Sequence, residues 1–286
     1  MVSGLASLRP MALDDVGAAY GVARRALKLD AHARPAQRAR QDERWHGRLT
    51  HLLGTDAAGC WVAEWQGRVI GAALGLVRED VWGLSLLVVD PVHQRRRTGG
   101  ELLRRALAHA RGTSGQVIIS SSDPRALRLY AGAGFGLRPA LAAHGPVRGA
   151  ESAGERPAIE DVPNAHLEEL GDISRAVRGG THAPDLHEMY RTGARVLRAG
   201  DRGFVVHGGG QVLLLAARDE QAARALLWAA LRSAGEGATA VNWMAAQDWA
   251  VEVVLGARLT LKLHGAVCVR GRPGAMWPYL PSGPYL

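Results

Sequence analysis

Gln94, Arg95, Arg96, Arg97, Thr98, Gly99 and Gly100 stand in one unbroken run. Residues of these types, so placed, can hold an anion. Three arginines bring charge and forked N–H donors. Two glycines let a phosphate approach the backbone closely. If the run opens a helix, unpaired backbone N–H groups and the positive end of the helix dipole add to the attraction. A pyrophosphate suits such a place. A second cluster lies downstream, Asp123-Pro124-Arg125-Ala126-Leu127-Arg128-Leu129-Tyr130 followed by Gly132-Ala133-Gly134-Phe135. It reads as a short capped helix that carries a phenol, a group able to give a proton to a leaving atom.

These clusters need elements to position them. Trp82 to Val89 is apolar almost throughout, as a buried strand is, and it ends at Asp90-Pro91 just before the basic run. Thr98 to Ala110 follows as a helix. Upstream, Asp14 to Leu29 and Arg34 to Leu53 have helical spacing, and Cys60–Trp65 and Arg68–Val77 form a hairpin around Gln66-Gly67. Gln116 to Ser120, a helix over Pro124 to Ala131 and a strand from Phe135 complete a mixed α/β order with a largely central sheet.

The two clusters together resemble the GCN5-related N-acetyltransferase (GNAT) superfamily. Val-x-Pro-x-x-Gln-x-x-x-x-Gly with Leu102-Leu103 in the following helix is similar to its acyl-CoA-binding segment, and Asp123 to Phe135 to its Asn-x-x-Ala-x-x-Leu-Tyr-x-x-x-Gly-Phe. The resemblance implies acetyl-CoA as co-substrate, with no metal. It implies that Leu87, Val88 and Val89 meet the pantetheine arm, and that Gln94, Arg95, Arg96, Arg97, Thr98, Gly99 and Gly100 hold the pyrophosphate. Asp123 would lie near the cofactor, and Tyr130 would serve the leaving sulfur. Arg97 stands where the family has glycine, and Ser85 where it often has a glutamate base. No catalytic base is named. The activity implied is transfer of an acetyl or small acyl group to a primary amine, small-molecule or peptide, by direct attack. A non-catalytic acyl-CoA-binding module is the alternative.

Charge agrees with an anionic ligand in the first half. Residues 1–145 hold 20 Lys+Arg against 12 Asp+Glu, and the remainder holds 15 against 15. Five of these arginines, Arg34, Arg38, Arg40, Arg44 and Arg48, fall on the second helix; they hint at an acidic acceptor or partner, and a solvated face accounts for the pattern without any function. No nucleic-acid motif and no Walker-type loop occurs. No apolar run approaches the roughly 20 residues of a membrane span. A cytoplasmic protein with two buried thiols, Cys60 and Cys268, is expected. His46 and His51, and His182 and His187, are five apart and poorly placed to share a metal.

The second half repeats the first. Leu102-Leu103 falls on Leu226-Leu227, Leu107 on Leu231, Val117 on Val241 and Gly132 on Gly256, all at an offset of 124. The basic loop there becomes Arg218-Asp219-Glu220-Gln221-Ala222-Ala223, and Tyr130 becomes Val254. Two acids at a helix start repel a pyrophosphate. The expectation is an α/β fold (α+β, mixed sheet) of two tandem GNAT-like domains: an active one over 1–145, a Gly/Pro/Glu/Ser-rich linker over 146–163, and a degenerate copy over 164–286. Its aromatic, proline-rich tail, Met276 to Leu286, is apolar enough to dock on a surface.

Overall fold

The computed structural model describes residues 6–29, 35–94, 97–149, 157–234 and 237–286. Contacts divide the chain into two units, one of residues 1–77 and 82–113 and one of residues 78–81 and 114–286.

In the first unit, β1 (Ser7–Pro10) precedes two helices, α1 (Val16–Leu27) and α2 (Pro35–Thr55). Val16, Ala19, Tyr20, Val22 and Ala23 are the buried stripe of α1, at the spacing an amphipathic helix requires. Then come β2 (Cys60–Trp65), β3 (Arg68–Arg78), β4 (Val81–Val89) and α3 (Thr98–Leu107). β1 runs antiparallel to β2 and β2 to β3, with β4 next to β3. Gln66-Gly67, at φ 50° and 72°, forms the turn expected between β2 and β3. The core lies between this sheet and its helices, with Val22, Leu49, Leu52, Val62, Leu74, Leu102 and Ala106 fully buried. β1 was not foreseen, because its four residues, Ser-Leu-Arg-Pro, carry no alternation.

The second unit contains β5 (Gly115–Ser120), α4 (Pro124–Gly132), β6 (Gly136–Pro146), β7 (Glu160–Asp161), α5 (Gly171–Arg178), α6 (Ala183–Arg191), β8 (Arg195–Arg198), β9 (Gly203–Gly208) and β10 (Gln211–Ala217). α7 (Glu220–Arg232), β11 (Ala238–Met244), α8 (Asp248–Gly256), β12 (Thr260–Gly271) and β13 (Tyr279–Leu280) follow. The repeat is visible in the elements. α4 and α8 begin 124 residues apart, at Pro124 and Asp248, and so do β6 and β12, at Gly136 and Thr260.

The repeats share a ladder. β12 pairs antiparallel with both β5 and β6, and β6 pairs on its other side with β11. Each repeat therefore lends a strand to the other. This is why contacts do not divide the chain at 146–163, where composition suggested a linker. Residues 150–156 of that stretch lie outside the described residues.

The tail docks inside the second unit. β10 runs parallel to β11 only at Gln211↔Ala240 and Val212↔Val241. Beyond that point β13 pairs with β10, through Leu215↔Leu280 and Ala216↔Tyr279. Tyr279, Leu280, Tyr285 and Leu286 are buried. Both cysteines are free and buried. Among the described residues, no helix is long and apolar enough to cross a membrane.

Candidate functional site

β4 delivers Leu87, Val88 and Val89 to the mouth of the basic loop. Val88 is buried and its two neighbours are half-buried. The end of the strand is fixed twice. Asp90 N donates to Ile70 O at 2.8 Å, and Gln94 Nε2 donates to Val89 O at 3.0 Å. Gln94 thus serves first to fold the loop back onto its own strand. Asp90 is buried, caps the turn Pro91–His93 by accepting from Val92 N, and pairs with Arg25 of α1, Nε–Oδ2 2.8 Å. Burial alone would raise the Asp90 carboxyl, but the Arg25 guanidinium and the Val92 N–H outweigh it and hold it below the usual carboxylate range. Sequence reasoning missed the Arg25–Asp90 clamp, since nothing local marks a pair 65 residues apart.

At the far end of the loop, α3 begins without a side-chain cap. Glu101 N closes the first helical bond, on Arg97 O, at 3.1 Å. Among the described residues, no side chain accepts from the N–H groups of Thr98, Gly99 and Gly100, which form the first turn. Among the described residues, a Cβ on Gly99 would meet only Val89 Cγ2, at 3.7 Å. An uncapped first turn of this kind can take an oxyanion such as a diphosphate. Glu101 lies in the same turn but is engaged by Arg104 at 2.7 Å. Arg97 takes φ 63° and ψ −4°, the left-handed conformation that glycine adopts freely, and its side chain is exposed. The glycine-to-arginine departure is thus accommodated in the backbone. Arg95 and Arg96 lie outside the described residues.

Asp123 and Tyr130 belong to the second unit. Asp123 caps α4, accepting from Arg125 N at 2.8 Å, and its carboxylate pairs with the Arg125 guanidinium at 2.7 Å. That hydrogen-bonded guanidinium holds it below the usual range. Tyr130 is buried on α4, where desolvation, with Cys268 and Asp123 nearby, pushes its phenol above its ordinary value. A phenol so placed keeps its proton at neutral pH.

Ser85, four residues back along β4 from Val89, is held by α2. Arg48 Nε donates to Ser85 Oγ at 2.9 Å, and Arg48 Nη2 donates to Ser85 O. The Arg48 guanidinium lies over the Trp45 ring at 4.7 Å, and Trp45 stacks on Tyr20 at 5.7 Å. Tyr20 OH bonds Asp42, and Arg24 lies over the Tyr20 ring at 5.7 Å. In sequence, Arg48 was one of five arginines on a surface helix. The structure takes it out of that set.

In the second repeat the corresponding features are closed. Residues 90–97 separate β4 from α3, but only Arg218 and Asp219 separate β10 from α7. Asp219 caps α7, accepting from Ala222 N at 2.9 Å, and pairs with Arg202 at 2.6 Å. Gln247, 124 residues after Asp123, binds the tail: its Nε2 donates to Met276 O at 2.9 Å and its Oε1 accepts from Tyr279 N at 3.1 Å. The opening between β10 and β11 is therefore occupied by the chain's own β13. At its end, Leu286 O accepts from Arg178 Nη1 at 2.8 Å, from Tyr279 OH at 2.6 Å and from His182 Nε2. His187 instead meets Asn164 and Glu168, so the two histidines do not converge.

Residues 24–135 match the family model described as acetyltransferase (GNAT) family. No curated protein matches the chain in sequence. Solved structures match its fold. A candidate acetyltransferase from Pyrococcus horikoshii aligns at TM-score 0.76 and 18% identity, over 100% of this chain and 95% of that one. A GCN5-related N-acetyltransferase from Kribbella flavida aligns at 0.62 and 17%, over 94% and 72%. A tandem GNAT protein from the clavulanic acid biosynthesis pathway aligns at 0.57 and 14%, over 93% and 98%. The chain is a mixed α/β protein with the fold of tandem GNAT structures, and its residues 24–135 are similar to the acetyltransferase (GNAT) family, whose acyl donor is acetyl-CoA.

Proposed function

We propose that the chain is an N-acetyltransferase that moves the acetyl group of acetyl-CoA onto a primary amine by direct attack in a ternary complex. One observation carries the reading: a buried strand ends in a loop that leads into a helix whose first turn is uncapped, and whose N–H groups stand open to a diphosphate. Bound acetyl-CoA supplies an acyl group activated as a thioester. The N–H groups of Thr98, Gly99 and Gly100 hold the diphosphate, with Arg97 adding charge. The backbone of Leu87 to Val89 aligns the arm, and Gln94 and the Arg25–Asp90 pair keep loop and strand in register. In the transfer a C–N bond forms as the C–S bond breaks. The amine gives its proton to water, and the sulfur takes one from Tyr130, which water then reprotonates. Direct attack needs no nucleophilic side chain, and neither thiol offers one, since burial pushes Cys60 and Cys268 up to about 12.

The test is release of free thiol from acetyl-CoA in the presence of a panel of amines, with Tyr130→Phe beside the wild type. The reading expects turnover in the wild type. In the variant it expects kcat to fall about a hundredfold or more, with the Kd for acetyl-CoA unchanged. Binding of acetyl-CoA without turnover of any amine would favour a non-catalytic acyl-CoA-binding module, the reading that Arg48 at the base's address supports.

A further inference from the structure

The helix that carries Tyr130 is held by the other copy. β12 belongs to the second repeat, yet it lies between β5 and β6, the two strands that enter and leave α4. Its residues Cys268 and Arg270 are two apart and share one face of the strand. Cys268 stands near the Tyr130 phenol. Arg270 reaches the end of α4. Its Nη1 donates to Ala133 O at 2.8 Å, and its Nε donates at 2.6 Å to Oε1 of Gln116, its partner across the ladder on β5. Its guanidinium lies over the Phe135 ring at 5.0 Å. The segment so gripped is the one that closes on Tyr130: Ala133 N and Phe135 N both donate to Tyr130 O, at 3.1 Å. One planar fork therefore fixes a helix end, a strand and a ring at once, and through two backbone bonds the residue that bears the phenol.

The internal repeat shows that such a helix end does not need the arginine. At the offset of 124, Gln116 falls on Ala240, Tyr130 on Val254, Ala133 on Ala257 and Phe135 on Leu259, and Pro146 of the first copy stands where the second has Arg270. There the carbonyl of Ala257 accepts from a backbone N–H, that of Arg148, at 3.1 Å. A backbone group satisfies the helix end where there is no phenol, and a three-way side-chain grip stands where there is one. We propose that Arg270 is the positioning residue of Tyr130, lent by the second repeat to set the distance at which the phenol meets the leaving sulfur. This rests on the donor reading above and deepens it: the copy that holds no acetyl-CoA completes the proton donor of the copy that does. Arg270 touches neither donor nor acceptor in this account. Its effect is on proton delivery, where a displacement of about 1 Å costs up to about a hundredfold.

The experiment measures kcat by free-thiol release, on the fastest acceptor among glycine, putrescine and tyramine, and the Kd for acetyl-CoA by calorimetry, all in the full chain. Arg270→Gln and Gln116→Ala are each made in the wild type and in Tyr130→Phe. In the wild type, Arg270→Gln is expected to lower kcat about tenfold or more and Gln116→Ala severalfold, with Kd unchanged. Arg270→Lys, which can reach Ala133 O but cannot fork to Gln116, should recover part of the loss. In Tyr130→Phe neither change should lower kcat further by more than about twofold. Slowing of equal size in both backgrounds would mean general support of the fold, and overturns the proposal. So does a rise in Kd with kcat intact. Gln116→Ala carries the test should Arg270→Gln not fold, since alanine is the residue at that place in the second copy. If Tyr130→Phe is slow and both changes leave kcat at the wild-type value, the acid assignment stands and this proposal falls. If Tyr130→Phe is as fast as wild type, or no amine reacts at all, the acid reading has failed first and the positioning role falls with it.

Discussion

Acidification should weaken the fold through buried histidines, His182 foremost, before any carboxylate contributes. His182 is fully buried, and burial, reinforced by the neighbouring Arg178, pushes its pKa down to about 3. Unfolded, it returns to the ordinary value near 6.5. The folded value is the lower one, so the folded state binds fewer protons there than the unfolded state. Its contribution is intact above pH 6.5 and is lost as pH falls from 6.5 toward 3. Each pH unit in that window costs about 1.4 kcal/mol, so between pH 6.5 and pH 5 the loss is about 2 kcal/mol. His207 and His264 are also held low by burial and add to the slope. The salt-bridged carboxylates of Asp15, Asp90 and Asp219 are depressed and act only at lower pH. The assay is urea unfolding of wild type and His182→Gln at pH 7.5, 6.5, 5.5 and 5. The variant should be the less stable protein at pH 7.5, because Leu286 O loses a donor. The gap should narrow by about 2 kcal/mol at pH 5. Parallel curves would refute the reasoning, for they would mean that His182 titrates alike in both states and that the tail is not sealed over it.

Further outcomes follow from the same contacts. Removing residues 276–286 should cost several kcal/mol, since it exposes the β10 edge and the surroundings of Tyr279, Leu280 and Leu286. A melting temperature within a few degrees of the intact chain would contradict this. Arg97→Gly should raise the unfolding free energy by about 1 kcal/mol by relieving a left-handed arginine. No gain in chemical denaturation would mean that the loop is not strained there. Gly71→Val should raise KM for acetyl-CoA more than it lowers kcat. Its side chain would enter where a Cβ already meets Leu102 Cδ1 at 3.0 Å and Val88 O at 3.1 Å, pressing β4 out of line. Unchanged KM would remove β4 from the binding account.

The local elements were legible because their signals are local. An apolar run gave β4, helical spacing gave α1 and α2, the capped cluster gave α4, and the constant offset gave the repeat. What could not be read depends on distance or on geometry. β12 enters between β5 and β6 because of sheet pairing some 150 residues away, and a strand's own sequence does not name its neighbour. The region from Asn164 to Arg198 is silent in the sequence, since its three short helical segments and one strand are each too brief for periodicity to register. The left-handed backbone at Arg97 was hidden because arginine does not advertise that conformation. The docking place of the tail had one readable sign: Gln247 lies at the repeat offset from Asp123, so a ligand-side position in one copy could have been expected to face something in the other. Arg48 was lost among five arginines on one helix, since charge spacing does not tell which member reaches a strand.

The uncapped first turn of α3 is the point on which the functional account stands, and calorimetric titration of acetyl-CoA into the full chain tests it most directly. The account predicts one site per chain, because the second repeat has a two-residue loop, an aspartate cap and β13 in the corresponding opening. It predicts that binding is lost in Gly99→Glu, which gives the first copy the kind of acidic helix start that the second already has. Two sites per chain, or a Gly99→Glu protein that binds acetyl-CoA as the wild type does, would contradict it.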